Sequence, residues 1–119
     1  MVKIRQHGDN GELFDIPAFL ADIDELARPD TWQITIEQCT GDRAQEIEQI
    51  SSSGCSLSDS AFRSLYRGIH QTIDGRFIGL ASGTPLFELV AVDSSYWEVS
   101  GSSALESHML ASYGAWQRA

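Results

Sequence analysis

The pattern of apolar and polar positions is clearest between residues 70 and 101, HQTIDGRFIGLASGTPLFELVAVDSSYWEVSG. Short apolar runs alternate there with three turn-forming groups: Asp74-Gly75, Ser82-Gly83-Thr84-Pro85 and Asp93-Ser94-Ser95. Glycine tolerates positive φ, proline fixes φ, and Asp and Ser bond their own backbone in turns. The pattern predicts an antiparallel meander with strands near residues 70–73, 76–81, 86–92 and 96–99. Residues 86–92, LFELVAV, are almost wholly apolar. That marks a central strand covered on both faces, or at least well shielded.

Upstream, the period changes several times. Trp32, Ile34 and Ile36 alternate with Gln33, Thr35 and Glu37, which predicts a half-buried strand over residues 31–38. Before it, Asp15 is an N-cap with Pro17 in the first turn, and Ile16, Phe19, Leu20, Ile23 and Leu26-Ala27 recur at helical spacing until Pro29 stops the helix. After it, Asp42 and Gln45 have the form of a capping box, with Ala44, Ile47 and Ile50 as the buried stripe and residues 51–54 as an exposed, mobile serine-rich loop. Ser58 caps a third helix whose Phe62, Leu65, Tyr66 and Ile69 face the core, with Leu57 and Phe62 spaced as a hydrophobic staple. Ser103 and Glu106 form a second capping box, opening a last helix on which Leu105, Met109, Tyr113 and Trp116 fall at successive returns. Residues 2–5 and 12–14 read as two short strands of an N-terminal hairpin around Gly8-Asp9-Asn10-Gly11. Together these elements predict one α+β domain spanning residues 1–119, with an antiparallel sheet built on the C-terminal meander and about four helices packing it.

Charge adds a constraint on partners. The 119 residues carry a net charge of −9. This disfavours nucleic acid, whose phosphates need a basic patch, and anionic membrane surfaces, so neither is expected as a partner. A basic protein partner would be steered in. Lys3 is the only lysine beside seven arginines; arginine's planar fork suits fixed ion pairs. The N-terminal stretch has no apolar signal core and no run is long enough to span a bilayer, so the expected location is cytoplasmic. Cys39 and Cys55 are expected to be reduced there; a disulfide between them would need the fold to bring them together.

Candidate chemistry is thin. His7, Cys39, Cys55, His70 and His108 show no C-x-x-C or H-x-x-x-H spacing, so no metal and no cofactor is expected. No G-x-S-x-G and no phosphate-binding loop occurs, so no catalytic residue is assigned and an enzyme is not expected. The sharpest local feature is Asp93-Ser94-Ser95-Tyr96-Trp97-Glu98. A turn there delivers two large aromatics flanked by acids, on opposite faces of a strand. Either one points out as a binding anchor while its neighbour is core, or both are covered. Asp93, Tyr96, Trp97 and Glu98 are therefore the first candidate partner-binding residues. Asp22, Asp24 and Glu25, on the outer face of the first helix, are the second.

A short acidic α+β chain carrying FELVAVDSSYWEVSG resembles the immunity proteins that protect bacteria from polymorphic toxins, such as those of contact-dependent inhibition and type VI secretion. The resemblance implies direct neutralisation of a cognate, basic protein toxin by acids and aromatics near residues 93–98. On this reading Trp97 is the anchor whose loss weakens binding most. Two alternatives stand beside it: a small enzyme or ligand-binding domain with a pocket between sheet and helices, and a structural homo-oligomer, for example a homodimer, that uses a strand edge or the Trp116 end of the last helix.

Overall fold

A computed structural model describes residues 1–117; residues 118 and 119, the last two of the expected domain, lie outside the described residues. The elements run β1 (Val2–Arg5), α1 (Ile16–Leu26), β2 (Thr31–Thr40), α2 (Ala44–Ser51), β3 (Cys55–Ser58), α3 (Asp59–Tyr66), β4 (Gln71–Ala81), β5 (Thr84–Val92), β6 (Tyr96–Ser100) and α4 (Ser103–Tyr113). The strands form one antiparallel sheet in the order β1-β6-β5-β4-β2-β3. This is the expected α+β fold with four helices.

All four helices lie on one side of the sheet. A single core joins Phe19 and Ile23 of α1, Ile47 of α2, Phe62, Leu65 and Tyr66 of α3, and Leu105 and Met109 of α4 to alternate residues of the strands. The strand residues in that core are Ile4, Trp32, Ile34, Ile36, Cys39, Phe77, Phe87, Leu89, Ala91, Trp97 and Val99. Trp32 stacks on Phe62 at 4.1 Å, and its Nε1 donates to Asp59 Oδ1 at 2.9 Å. The opposite side of the sheet carries no helix. Leu86, Val90 and Val92 of β5 are therefore half-exposed, and the strand expected to be covered on both faces is covered on one.

The expected turn at Asp74-Gly75 does not form, and β4 passes straight through it. The pairs Ile36↔Gly75, Gln38↔Asp74 and Cys39↔Thr72 show one extra residue in each of β2 and β4. These bulges shift the alternation, so Thr72 and Gly75 both face the core, as do Ile36 and Cys39. In the sequence a bulge breaks period two just as a strand end does, and Asp-Gly completes the resemblance to a turn. The two hairpins that do form have left-handed residues at their tips, Ser82 and Gly83 in one and Asp93 and Ser94 in the other. Ser94, at φ 50°, is held by its N–H to the Ile73 carbonyl and by His7 Nε2, which donates to its carbonyl at 3.0 Å. Its side chain makes no hydrogen bond among the described residues, so Ser94→Gly should relieve the steric cost of that conformation and raise stability by about 0.5–1 kcal/mol. A chemical denaturation midpoint checks this.

Other boundaries differ for local reasons. Residues 12–14 form no strand; only one bridge, His7↔Leu13, remains of the N-terminal hairpin. The Asp42-Gln45 capping box is absent, because Arg43 occupies the N-cap without a side-chain bond. Ile50 is 47% exposed instead of buried. Ser51, expected in an exposed loop, is buried: its Oγ donates to the Ile47 carbonyl at 2.6 Å and accepts from Ile36 N at 3.1 Å. The four residues after that loop pair with β2 as β3, a strand too short and too serine-rich to show a period. The last helix starts one residue early, with Ser102 as N-cap, while Glu106 accepts from Gly101 N at 3.1 Å. It ends at Tyr113, where Gly114 turns at φ 84°, so Trp116 is not on it. Residues 114–116 instead run along the outer edge of β1, with Arg5 N donating to Gly114 O and Trp116 N donating to Lys3 O.

Candidate functional site

The bare sheet face is where the first group of candidate residues meets, with one exception. In β6, Tyr96, Glu98 and Ser100 point to the bare face while Trp97 and Val99 point to the core. The neighbours fix this choice. Trp97 pairs with Ala91 of β5 and Ile4 of β1, and the small alanine leaves room for the indole beneath the helices. Trp97 is fully buried, its Nε1 donates to the Phe14 carbonyl at 2.9 Å, and Phe19 meets it edge-on at 5.2 Å. The expectation that Trp97 anchors a partner is therefore corrected: it is a core residue, and Tyr96 is the aromatic left outside.

Tyr96 has a companion that sequence reasoning misplaced. Trp116 comes around the β1 edge and stacks on it, ring centroids 4.1 Å apart and planes at 28°. Lys3 Nζ lies 5.3 Å from the Tyr96 centroid. Val92, Asp93, Ser95, Lys3, Tyr96 and Trp116 line a depression of about 580 Å³. Gly114 was the available signal: a glycine just past an apolar-periodic helix marks its end, after which helical spacing no longer applies.

Charge on this face is unevenly spent. Arg76 pairs with Glu88 across β4 and β5 at 2.8 Å. Glu37, Asp74, Asp93 and Glu98 have no ion-pair partner among the described residues. Asp74 Oδ1 accepts from Asp93 N at 2.9 Å, which helps to hold the 93–94 turn. The face thus combines half-exposed aliphatics, two stacked aromatics, Lys3 opposite Glu98, and four acids without an ion pair among the described residues.

The second candidate group lies on the helical layer and does not join this face. Asp24 is held by Arg63 at 2.6 and 3.1 Å, and hydrogen bonding from that guanidinium keeps its carboxyl below the ordinary value. Asp22 accepts from His108 Nε2 at 2.6 Å and from the Tyr113 hydroxyl. Only Glu25 of the three is exposed with neither a hydrogen bond nor an ion pair from its side chain among the described residues. The outer face expected of α1 is thus largely used to tie α1 to α3 and α4.

Ser112 Oγ lies 3.4 Å from His108 Nε2, which puts a serine, a histidine and an aspartate together. A nucleophilic relay needs the acid on one ring nitrogen and the serine on the other. Here both meet Nε2, so the imidazole cannot take the serine's proton while the acid orients it. The buried thiol of Cys39 is a poor nucleophile too: burial, then the nearby Glu48 carboxylate, pushes it up to about 12. Both cysteines are free thiols. No group of three or more His, Cys, Asp or Glu is placed to hold a metal among the described residues, and no helix there is long and apolar enough to cross a membrane. No protein-family model, curated protein or solved structure matches the chain.

Proposed function

We propose that this chain is a binding protein of the toxin-neutralising immunity kind, which grips a basic protein partner with its bare sheet face. The observation that supports the reading is the one-sided sheet: every helix packs on one face, and the other presents Tyr96 and Trp116 among acids that form no ion pair among the described residues. The net charge of −9 draws a basic partner in, which raises the association rate at low salt. Burial of the stacked aromatics then supplies most of the affinity, because Tyr and Trp bring large area at small entropic cost. Glu98 and Asp93 flank that stack and would receive arginine or lysine side chains of the partner.

The test is co-expression with a candidate toxin encoded beside the gene, followed by binding measurements on the purified pair. Tyr96→Ala and Trp116→Ala should each weaken the complex at least about tenfold through faster dissociation. Raising salt should slow association. A complex indifferent to both substitutions and to salt would sink the proposal.

A further inference from the structure

Half of the aromatic stack comes from a segment outside the strands, and that segment has to be held. Gly114, at φ 84°, turns the chain out of α4, and residues 114–116 then lie along β1. Arg5 N donates to the Gly114 carbonyl at 3.1 Å, and Trp116 N donates to the Lys3 carbonyl at 3.0 Å. Two backbone bonds at a sheet edge are a weak hold, because local opening costs little where few buried contacts resist it. One side chain adds to them. Arg5 Nε donates to the carbonyl of Tyr113, the last residue of α4, at 3.1 Å. No other side chain bonds the backbone of residues 113–116 among the described residues. We propose that Arg5 is the positioning residue of the aromatic stack: its guanidinium clips the end of α4 to β1 and so keeps Trp116 on Tyr96.

The chemistry of a helix end explains why an arginine stands there. The last carbonyls of a helix have no partner within it and carry partial negative charge, so a cation beside them is stabilised. The last turn of α4 has no basic residue of its own. Arg5 supplies the charge from β1, and Asp9 Oδ1 steadies the far end of the guanidinium at 2.8 Å. Gly114 leaves the space for it: a Cβ at that position would stand 3.0 Å from Arg5 Nε and 3.2 Å from Nη2. With the clip closed, the stack exists before any partner arrives, so binding does not bear the cost of ordering Trp116. This use of the stack rests on the proposed function, but the clip itself does not. A partner indifferent to Trp116 would sink that function and leave the clip standing.

Amide hydrogen exchange on the chain alone tests this, with wild type and Arg5→Ala compared. Loss of a hydrogen bond from a charged donor should lower the protection of the Trp116 amide about tenfold or more. Amides of the central strand β5 should lose far less. Acrylamide quenching reads the side chain: Trp32 and Trp97 are fully buried, so the extra quenching in Arg5→Ala reports Trp116. That extra quenching should vanish when Trp116→Phe is added. A Trp116 amide that is already unprotected in wild type, or one that Arg5→Ala leaves unchanged, overturns the proposal. So does protection lost from Trp116 and β5 by the same factor, or an Arg5→Ala chain that fails to fold, since Arg5 would then support the whole fold and not this segment.

Discussion

Trp97→Ala is expected to lower folding stability by about 4 kcal/mol, within the range measured for removing a buried aromatic. The side chain is fully buried between Phe19 and Phe77 and beneath the helices. Its loss opens a cavity and leaves the Phe14 carbonyl without the indole donor. Tyr96→Ala, one position away, should cost far less, because Tyr96 sits on the bare face with one ring side given to Trp116. The pair therefore separates stability from binding along a single strand. Chemical denaturation of both variants reads the first effect, and affinity for a partner reads the second. A Trp97→Ala protein as stable as wild type would show that β6 takes the opposite parity.

The second large effect concerns Asp15. Its carboxylate is buried and accepts from Ile16 N at 2.7 Å, from Thr72 N at 2.8 Å and from Thr72 Oγ1 at 2.8 Å. Tyr66 donates its hydroxyl to Thr72 Oγ1, and Gln6 Nε2 donates to the Thr72 carbonyl at 2.7 Å. One side chain thus caps α1 and satisfies the backbone where the bulge in β4 would otherwise leave a buried amide. Asp15→Ala strands that amide and removes the cap, at an expected cost of about 3 kcal/mol.

The same carboxyl has a pH signature. Burial raises its pKa above the ordinary 3.8, against the lowering effect of the bonds from Thr72 and Ile16. A raised folded pKa means that the folded state holds the proton more tightly. The associated stability is complete below about 3.8, and it is lost as pH rises through the folded value. The acids Asp24, Asp30, Glu46 and Glu106 are shifted down by their hydrogen-bond donors and act in the opposite direction. The difference between wild type and Asp15→Asn isolates the one term: as pH climbs above 3.8, wild type should lose ground relative to the variant. A gap between the two that stays constant across that range would show that Asp15 titrates alike in folded and unfolded chains.

Local patterns carried much of the architecture. Period two over Trp32, Ile34 and Ile36 placed β2 and its buried side, and Asp15 with Pro17 placed the start of α1, because side-chain direction and capping depend on neighbours within one turn or one pleat. Ser58 and the stripe of Phe62, Leu65 and Tyr66 placed α3 for the same reason, although Ile69, read as its last return, is buried beyond the helix end at Tyr66. Asp93, Glu98 and Tyr96 of the candidate site were visible as residue types beside a turn, whereas Glu37 and Asp74 were not singled out. Their arrangement was not, since Trp97 and Tyr96 are chemically interchangeable in the pattern and only pairing with Ala91 and Ile4 decides which goes inside.

What the sequence determined by itself was the menu of elements: an acidic α+β chain with a C-terminal meander, three of its helices capped by serine or aspartate. What the tertiary structure alone decided was which sheet face stays bare, the run of β4 through Asp74-Gly75, the strand at residues 55–58 and the meeting of Trp116 with Tyr96. Each of these depends on register between strands distant in the chain, and register is set by how side chains fit across the sheet, an interaction that no window of neighbouring residues contains.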